Sequence, residues 1–469
     1  MNGNLARELA NLLSPEQVVT IGPELRAALQ DGTGNRGIKG EAEALLLPAD
    51  AEEVAEVMAW CYGHGVPLTV RGGGTGLAGG AVPDGGVVLS LERLARVRSI
   101  DPELWRMEVE AGVRTATVHR IALENGLMFP PDPGASEQST IGGNIATNAG
   151  GNRVIRYGMM RENVLGLEVV LADGTVVSAL HHLIKNNAGY DLKQMFIGSE
   201  GTLGVVTRAV LRLRPLPQSQ DVAVAAVNDF AALPHLLHRL ERQLGGRLSA
   251  FEVMWADFYS LVTTAPANGR PPLPPGRPYY VLIEALGADP GPDAQTFQEA
   301  LGAALEAGEI ADAVIAKDQA ERDALWALRD DVGQVARNGP VLTFDISLSI
   351  SQMQAYVAEV KAALHTWKPG TSLVVFGHLG DGNLHLIVGA SPLDRYDVES
   401  IVYRPLRDRL GSISAEHGVG LDKRAWLWVT RSAEEVDVMR AVKRALDPMN
   451  ILNPGKIFEV SVGGGSVFS

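Results

Sequence analysis

The stretch RGGGTGLAGG, residues 71–80, places six glycines in ten positions directly behind the apolar run VPLTV. Consecutive glycines accept backbone angles that other residues resist, and they leave amide N–H groups uncovered. Successive bare amides form a concave nest for anions, such as the diphosphate of a dinucleotide. Gly72, Gly73, Gly74 and Gly76 suit that role, with Arg71 and Thr75 as side-chain donors. The same stretch also reads as a tight loop with no ligand. A Rossmann site is matched poorly, because LAGGAVPDGG does not continue as a helix.

The loop has company. PPDPGASEQSTIGGNIATNAGG (130–151) and IKNNAGYDLKQMFIGSEGTLGVVT (184–207) are two more stretches rich in glycine and short donors. Three such loops between strands call for a long cofactor lying across all of them, since a single phosphate needs less surface. Around them, short strands alternate with helices. Asp50 is placed to cap one helix, with Glu53 completing a capping box. Asp173-Gly174 is placed to turn a hairpin.

A length of 469 residues exceeds a single core. We expect an α+β protein with a helical segment over 1–37, a cofactor domain over 38–216, a second α+β domain over 217–410 and a helical segment over 411–460. Within the second domain, TTAPANGRPPLPPGRP reads as a surface loop, because its prolines cannot donate to a sheet. The tail SVGGGSVFS is expected to be flexible. A formal net charge of -14 argues against nucleic acid as the main partner. Cys61 is the single cysteine, on a helical pattern, so neither an internal disulfide nor a thiolate cluster can form. The start, MNGNLARELANLLSPEQ, reads as a short amphipathic helix and lacks the apolar core of a signal peptide. No apolar run reaches about 18 residues. A soluble, cytoplasmic protein is expected.

A second constellation lies near the C-terminus. VVFGHLGDGNLHLIV carries His378 and His385 on either side of turn-forming residues. A hairpin there would set the two histidines opposite each other, about 5 Å apart at Cβ, within reach of one metal ion. SAEHGVG (414–420) adds Glu416 and His417. Two imidazoles and a carboxylate make a common catalytic metal set with positions left open for substrate. His417, next in sequence, would then be able to act as a base. Each histidine also reads as a satisfied core residue, and Glu416 as a capping or salt-bridging one.

RGGGTGLAGGAVP, DPGASEQSTIGGNIATNAGG and GSEGTLGVVT resemble the FAD-binding domain of the vanillyl-alcohol-oxidase type. GHLGDGNLH, SAEHGVG and NPGKIF resemble the C-terminal domain of FAD-linked D-2-hydroxyacid dehydrogenases. That group includes D-2-hydroxyglutarate dehydrogenases, D-lactate dehydrogenases and the glycolate oxidase catalytic subunit. The resemblance spans residues 38–458 and implies a mixed α+β FAD domain followed by a second α+β domain with a helical C-terminal segment.

It implies FAD contacts in the first loop from Arg71, Gly72, Gly73, Gly74, Thr75, Gly76 and Leu77. In the second loop the implied contacts are Pro133, Gly134, Ala135, Ser136, Gly143, Asn144, Thr147, Asn148 and Gly150. Gly201, Val206 and Asn453 complete the set. The FAD is expected to be non-covalent, because Leu77-Ala78 stands where some relatives carry a linking histidine. The resemblance further implies a divalent metal, zinc above others, on His378, His385 and Glu416. His417 is implied as the proton acceptor, and Arg329 as a substrate-carboxylate ligand. Arg329 also reads as a surface salt bridge in an Arg/Asp-rich helix.

The implied reaction oxidises a D-2-hydroxy acid to the 2-oxo acid, with D-2-hydroxyglutarate first and D-lactate or glycolate as alternatives. Dicarboxylate-using relatives usually carry a lysine where this chain has Thr343. They often have an asparagine where it has Ile387. Both departures remove polar contacts. Electrons would leave to an external acceptor, a quinone or an electron-transfer flavoprotein, and a homodimer is compatible with the family. A flavin-binding partner subunit of a larger oxidase is the non-catalytic alternative.

Overall fold

The computed structural model describes residues 5–460, so the first four residues of the expected N-terminal helix and the SVGGGSVFS tail lie outside the described residues. The chain divides into two compact units, each built from more than one stretch of sequence. The first comprises Met1–Gly151, Gly158–Leu216 and Glu416–Ser469; the second comprises Asn152–Tyr157 and Pro217–Ala415.

The first unit opens with a four-stranded sheet. Its strands are β1 (Val18–Val19), β2 (Ala44–Leu46), β3 (Leu68–Arg71) and β4 (Val87–Ser90), in the order β1-β2-β4-β3. Both β2 and β3 run parallel to β4. Helix α1 (Ala51–His64) provides the crossover from β2. It begins because the Asp50 carboxylate accepts from the amides of Glu52 and Glu53, both at 3.0 Å. The reciprocal half of the expected capping box is displaced by one residue: the Glu53 carboxylate accepts from Ala49 N at 2.7 Å instead of from Asp50 N. Left-handed Gly65 ends the helix. Cys61 is buried on its inner face, and burial pushes its thiol up to about 12, so it is inert at neutral pH.

An antiparallel sheet of five strands follows: β5 (Val97–Asp101), β6 (Arg106–Glu110), β7 (Val164–Val170), β8 (Val176–Ala179) and β9 (Val205–Arg212). Their order is β5-β6-β9-β7-β8. The expected hairpin is β7–β8, closed at Leu171–Thr175 around Asp173-Gly174. Helix α2 (Ile141–Thr147) packs on β9 and carries the second glycine-rich stretch.

The second unit is one seven-stranded antiparallel sheet with helices against it. The strands are β10 (Ser219–Val227), β11 (Leu248–Trp255), β12 (Tyr279–Gly287), β13 (Asp312–Ile315), β14 (Val341–Ser347), β15 (Leu373–His378) and β16 (Asn383–Gly389). They run in the order β13-β10-β12-β11-β15-β16-β14. β11 and β12 are buried along nearly their whole length, so both faces are covered. Helix α3 (Gln319–Asp330) starts on the Asp318 cap and lays Leu325 and Leu328 into a core with Phe258, Phe376 and Ile387. The proline-rich stretch 263–278 contains no strand.

The C-terminal stretch returns to the first unit. Helix α4 (Ala433–Leu446) begins with a complete Ser432/Glu435 capping box and ends before Asp447-Pro448. The following residues pair Leu452 with Leu68 of β3. Lys456, in the same segment, is 2% exposed; its Nζ has no hydrogen-bond partner, and neither does Asp31 Oδ2. Burial is the main cause that lowers the Lys456 ammonium to about 8, while Asp84 and Asp31 oppose the shift.

An unfolded lysine keeps its proton to about pH 10.4. Between pH 8 and that value the unfolded chain binds more protons, so stability rises with pH and is lost as pH falls through the folded value. Urea unfolding of the wild type and Lys456→Met across this window should therefore show the wild type gaining stability relative to the variant as pH rises. Parallel curves would show that the ammonium is not depressed.

Candidate active site

In the first unit, β3 delivers the chain straight into the glycine loop. Gly73 lies so close to the second loop that a Cβ there would stand 2.0 Å from the Gln138 carbonyl oxygen, and a Cβ on Gly72 would meet Thr140 Oγ1 at 2.5 Å. Gly74 adopts a φ of 69°. The bare loop is thus demanded by backbone packing as well as by any ligand.

A cleft opens beside it. Gly72, Gly73, Gly74, Thr75 and Gly76 line one side. Gly143, Asn144 and Thr147 from α2, Gly201 and Val206, and Asn453 and His417 complete it. Twelve residues selected from sequence therefore meet around one cleft within one unit. The rest stand in its surroundings. Arg71 donates to Gln30 O at 2.7 Å, with its guanidinium folded over Gly74. The Ser136 hydroxyl contacts Asp132 Oδ1 and Pro133 O, both at 2.7 Å, in the turn that holds Gly134 and Ala135. Asn148 caps α2 in the left-handed conformation and accepts from Arg161 N at 2.9 Å. Gly150 O accepts from Asp132 N at 3.1 Å, and Leu77 closes the glycine loop against Gly32.

Sequence reasoning passed over Glu200, although it stands inside the GSEGTLG stretch. Its carboxylate accepts from Val419 N and Gly420 N, both at 2.7 Å. It holds the loop that bears His417. Burial pushes the Glu200 carboxyl up, against the pull of those two amides and of Lys423. Asn453 joins the same network: its Oδ1 accepts from Val70 N at 2.7 Å and its Nδ2 donates to Glu200 O at 2.6 Å.

In the second unit, the hairpin β15–β16 carries the two histidines. The register differs from the expected direct pairing. His385 stands opposite Phe376 on β15 and opposite Asp345 on β14, while His378 stands opposite Glu252 on β11. The two-residue offset keeps both rings on one face of the sheet. Their centroids are 5.3 Å apart and their planes 80° from parallel. One ligand nitrogen from each lies within 4.8 Å of the other.

Each histidine turns Nδ1 towards a carboxylate. His378 Nδ1 is 2.9 Å from Glu252 Oε1, and His385 Nδ1 is 3.8 Å from Asp345 Oδ1. Asp345 Oδ1 is itself held by Asn383 Nδ2 at 2.8 Å. A protonated Nδ1 facing a carboxylate leaves the Nε2 lone pair as the ligand, the usual arrangement behind a metal-bound histidine. The donor chemistry therefore fits a divalent cation such as zinc.

Arg329, from α3, is not on the surface: it is 4% exposed. Its Nε donates to Glu252 Oε2 at 2.8 Å and its Nη2 to His378 Nε2 at 3.2 Å, and its guanidinium carbon sits 5.1 Å from the Phe376 ring centroid. Burial works against ionising Glu252, but His378 and Arg329 outweigh it and hold the carboxyl below its ordinary range. Glu252 escaped the sequence reading, although it is the lone acid in the apolar strand LSAFEVMW. Glu416 is the first residue of the returning stretch of the first unit, next in sequence to Ala415, where the second unit ends.

Residues 42–179 match the family described as FAD binding domain, and residues 216–457 match FAD linked oxidases, C-terminal domain. The D-2-hydroxyglutarate dehydrogenase of Xanthomonas citri pv. viticola is 41% identical over 425 residues, covering 89% of this chain and 89% of that protein. The enzyme of the same name from Stutzerimonas stutzeri is 36% identical, covering 97% of this chain and 98% of its own length. The mitochondrial D-2-hydroxyglutarate dehydrogenase of Bos taurus is 38% identical, covering 94% and 81%. Among solved structures, p-cresol methylhydroxylase with substrate bound superposes with a TM-score of 0.77 at 18% identity, covering 97% of this chain and 96% of that one. Alkyldihydroxyacetonephosphate synthase gives 0.71 at 18%, covering 96% and 84%. These likenesses show the fold: α+β, of the vanillyl-alcohol-oxidase type. Among the described residues no helix is long and apolar enough to cross a membrane.

Gly73→Ala should cost about 1–3 kcal/mol of stability through overpacking and lower the FAD bound per chain, read from flavin absorbance after gel filtration. Wild-type loading in this variant would mean that the loop can move away from Gln138 without losing its grip.

Proposed function

We propose a reaction on the premise that this chain belongs to the FAD-linked oxidase family and, within it, to the group of D-2-hydroxyglutarate dehydrogenases: it oxidises D-2-hydroxyglutarate to 2-oxoglutarate. The observation that carries the reading is 41% identity reaching over 89% of both chains. In this reading residues 38–216 bind FAD and residues 217–410 bind substrate. The amides of Gly72, Gly73, Gly74 and Gly76 face the pyrophosphate, and Asn144, Thr147 and Val206 border the remainder of the cofactor. FAD, when bound, supplies the two-electron acceptor, and a divalent metal supplies Lewis-acid polarisation of the substrate hydroxyl.

His378, His385 and Glu416 hold that metal, with zinc favoured by the two imidazoles and one carboxylate. Support comes from the shared face of the two rings and from the carboxylate behind each Nδ1. His417 takes the hydroxyl proton on a ring nitrogen. Its place in the wall of the FAD cleft and the tether of its loop to Glu200 support that role. Arg329 draws in the substrate carboxylate with the part of its guanidinium that Glu252 does not engage. The protein excludes water and orients Cα while the proton leaves. The electrons then pass to an external acceptor, a quinone or an electron-transfer flavoprotein.

A monocarboxylate such as D-lactate is the second reading, favoured by one observation. Thr343 of β14 and Ile387 of β16 are cross-strand partners, two residues beyond the Asp345–His385 pair on the same face. Neither offers a cation to a second carboxylate, whose burial without a partner is costly.

Anaerobic mixing with D-2-hydroxyglutarate should bleach the flavin, the L-form should not, and chelation of the metal should abolish bleaching. Faster bleaching by D-lactate would transfer the assignment to the monocarboxylate. In His417→Ala the rate of bleaching should fall by about 10²–10⁴-fold with FAD and metal still bound; an unchanged rate would remove His417 from the proton transfer.

A further inference from the structure

We propose that Glu252 is a positioning residue that ties the metal ligand His378 to the substrate-binding Arg329 through one shared carboxylate. This rests on the reading of His378 as a metal ligand. Glu252 sits mid-strand on β11, directly across from His378 on β15, so the backbone register alone brings the two together. The His378 Nδ1 lies almost equally near both carboxylate oxygens, at 2.9 Å from Oε1 and 2.8 Å from Oε2. The second oxygen also receives Arg329 Nε at 2.8 Å. All three residues are 5% exposed or less, so water is a poor replacement for these contacts.

The consequence is chemical as well as structural. A carboxylate at Nδ1 fixes that nitrogen as the protonated one, and Nε2 keeps its lone pair. The Arg329 Nη2 contact to His378 Nε2 at 3.2 Å fits the same tautomer, because a guanidinium only donates; it occupies the lone pair a cation would take, so metal binding displaces it. The carboxylate also cancels the arginine's charge, so a cation can approach His378 without facing a bare guanidinium. The role therefore has two separable parts: tautomer and ring orientation at His378, and charge at Arg329. Asp345 stands behind His385 in the same manner but at 3.8 Å, so Glu252 is the tighter of the two supports.

The test is zinc affinity of the FAD-loaded protein, measured by competition with a chelator of known affinity. Glu252→Gln should weaken zinc binding by about 10–100-fold, the usual effect of losing such a support. Glu252→Asp keeps the charge and the fold but draws the carboxylate back from Nδ1; it should weaken zinc by at least about 10-fold. The double variant Glu252→Leu with Arg329→Leu removes the buried charge pair together, and zinc should remain weak. Cobalt(II)-loaded Glu252→Asp should also show shifted visible bands, because the ring of His378 is no longer held.

Wild-type zinc affinity in Glu252→Asp, or its recovery in the double variant, would overturn the proposal and leave Glu252 as the counter-ion of Arg329 alone. A wild-type chain that binds neither zinc nor cobalt would instead remove the metal-ligand reading of His378 on which the proposal stands. The two failures are therefore distinct.

Discussion

A buried polar network has to be satisfied completely or it costs more than an apolar core would. In the first unit that requirement falls on Asn453 and Glu200. The Asn453 amide bonds Val70, the residue two before the glycine loop, and the Glu200 carbonyl. The Glu200 carboxylate bonds the amides of Val419 and Gly420. One chain of hydrogen bonds thus fixes where the first glycine loop begins, where the 199–201 turn stands and where the loop of His417 lies. Residues nearly four hundred apart in sequence become neighbours because buried donors and acceptors have to be paired. Lys443 repeats the device: it is a buried residue of α4 and donates to Thr202 O and Leu452 O, each at 2.8 Å.

The two units solve different problems with different atoms. The first offers mostly backbone, and its glycines are forced by close approach: no side chain fits between Gly73 and Gln138 O. The second offers side chains placed on an antiparallel sheet, where period-two alternation sends His385 and Ile387 to the same face and the cross-strand register decides their partners. Such a face is apolar by default, and Phe376, Ile387, Leu325 and Leu328 make it so. The polar and charged groups embedded there are matched one against another, with Glu252 between His378 and Arg329 and Asp345 between His385 and Asn383. Breaking one partner of such a set costs far more than the set contributes as a whole.

Much of this was legible in the sequence. The glycine loops, the β7–β8 hairpin, the Asp50 cap and the grouping of His378 with His385 follow from local chemistry, which the chain states directly. Other features were hidden because they depend on register or on distance along the chain. His378 and His385 look like direct partners about their turn, but β15 pairs on its other side with β11, and the turn closes two residues out of step. Glu252 carries only the weak signal of a lone acid in an apolar strand. Arg329 reads also as a surface residue, since helical periodicity alone does not say which face of α3 a long cationic side chain covers. Glu200 sat within a recognised stretch, but its amide partners lie more than two hundred residues further on.

The recognition of substrate is where local and global information part company. Identity across nearly the whole length assigns the chain to D-2-hydroxyglutarate dehydrogenases, and the reacting end of any 2-hydroxy acid meets the same groups. Only the distal end of the substrate distinguishes a dicarboxylate from lactate. A site built to pair a charged group rejects an analogue lacking it by a large factor, whereas an apolar wall discriminates weakly. Thr343 and Ile387, cross-strand partners on the histidines' face of the sheet, offer no cation there. On the proposed reading a second carboxylate needs a cation other than Arg329, which the first carboxylate and Glu252 already engage. On the proposed reading chemistry and specificity are separable: the loop of His417 is held by the buried Glu200 network, while preference among 2-hydroxy acids would rest on side chains which that network does not constrain.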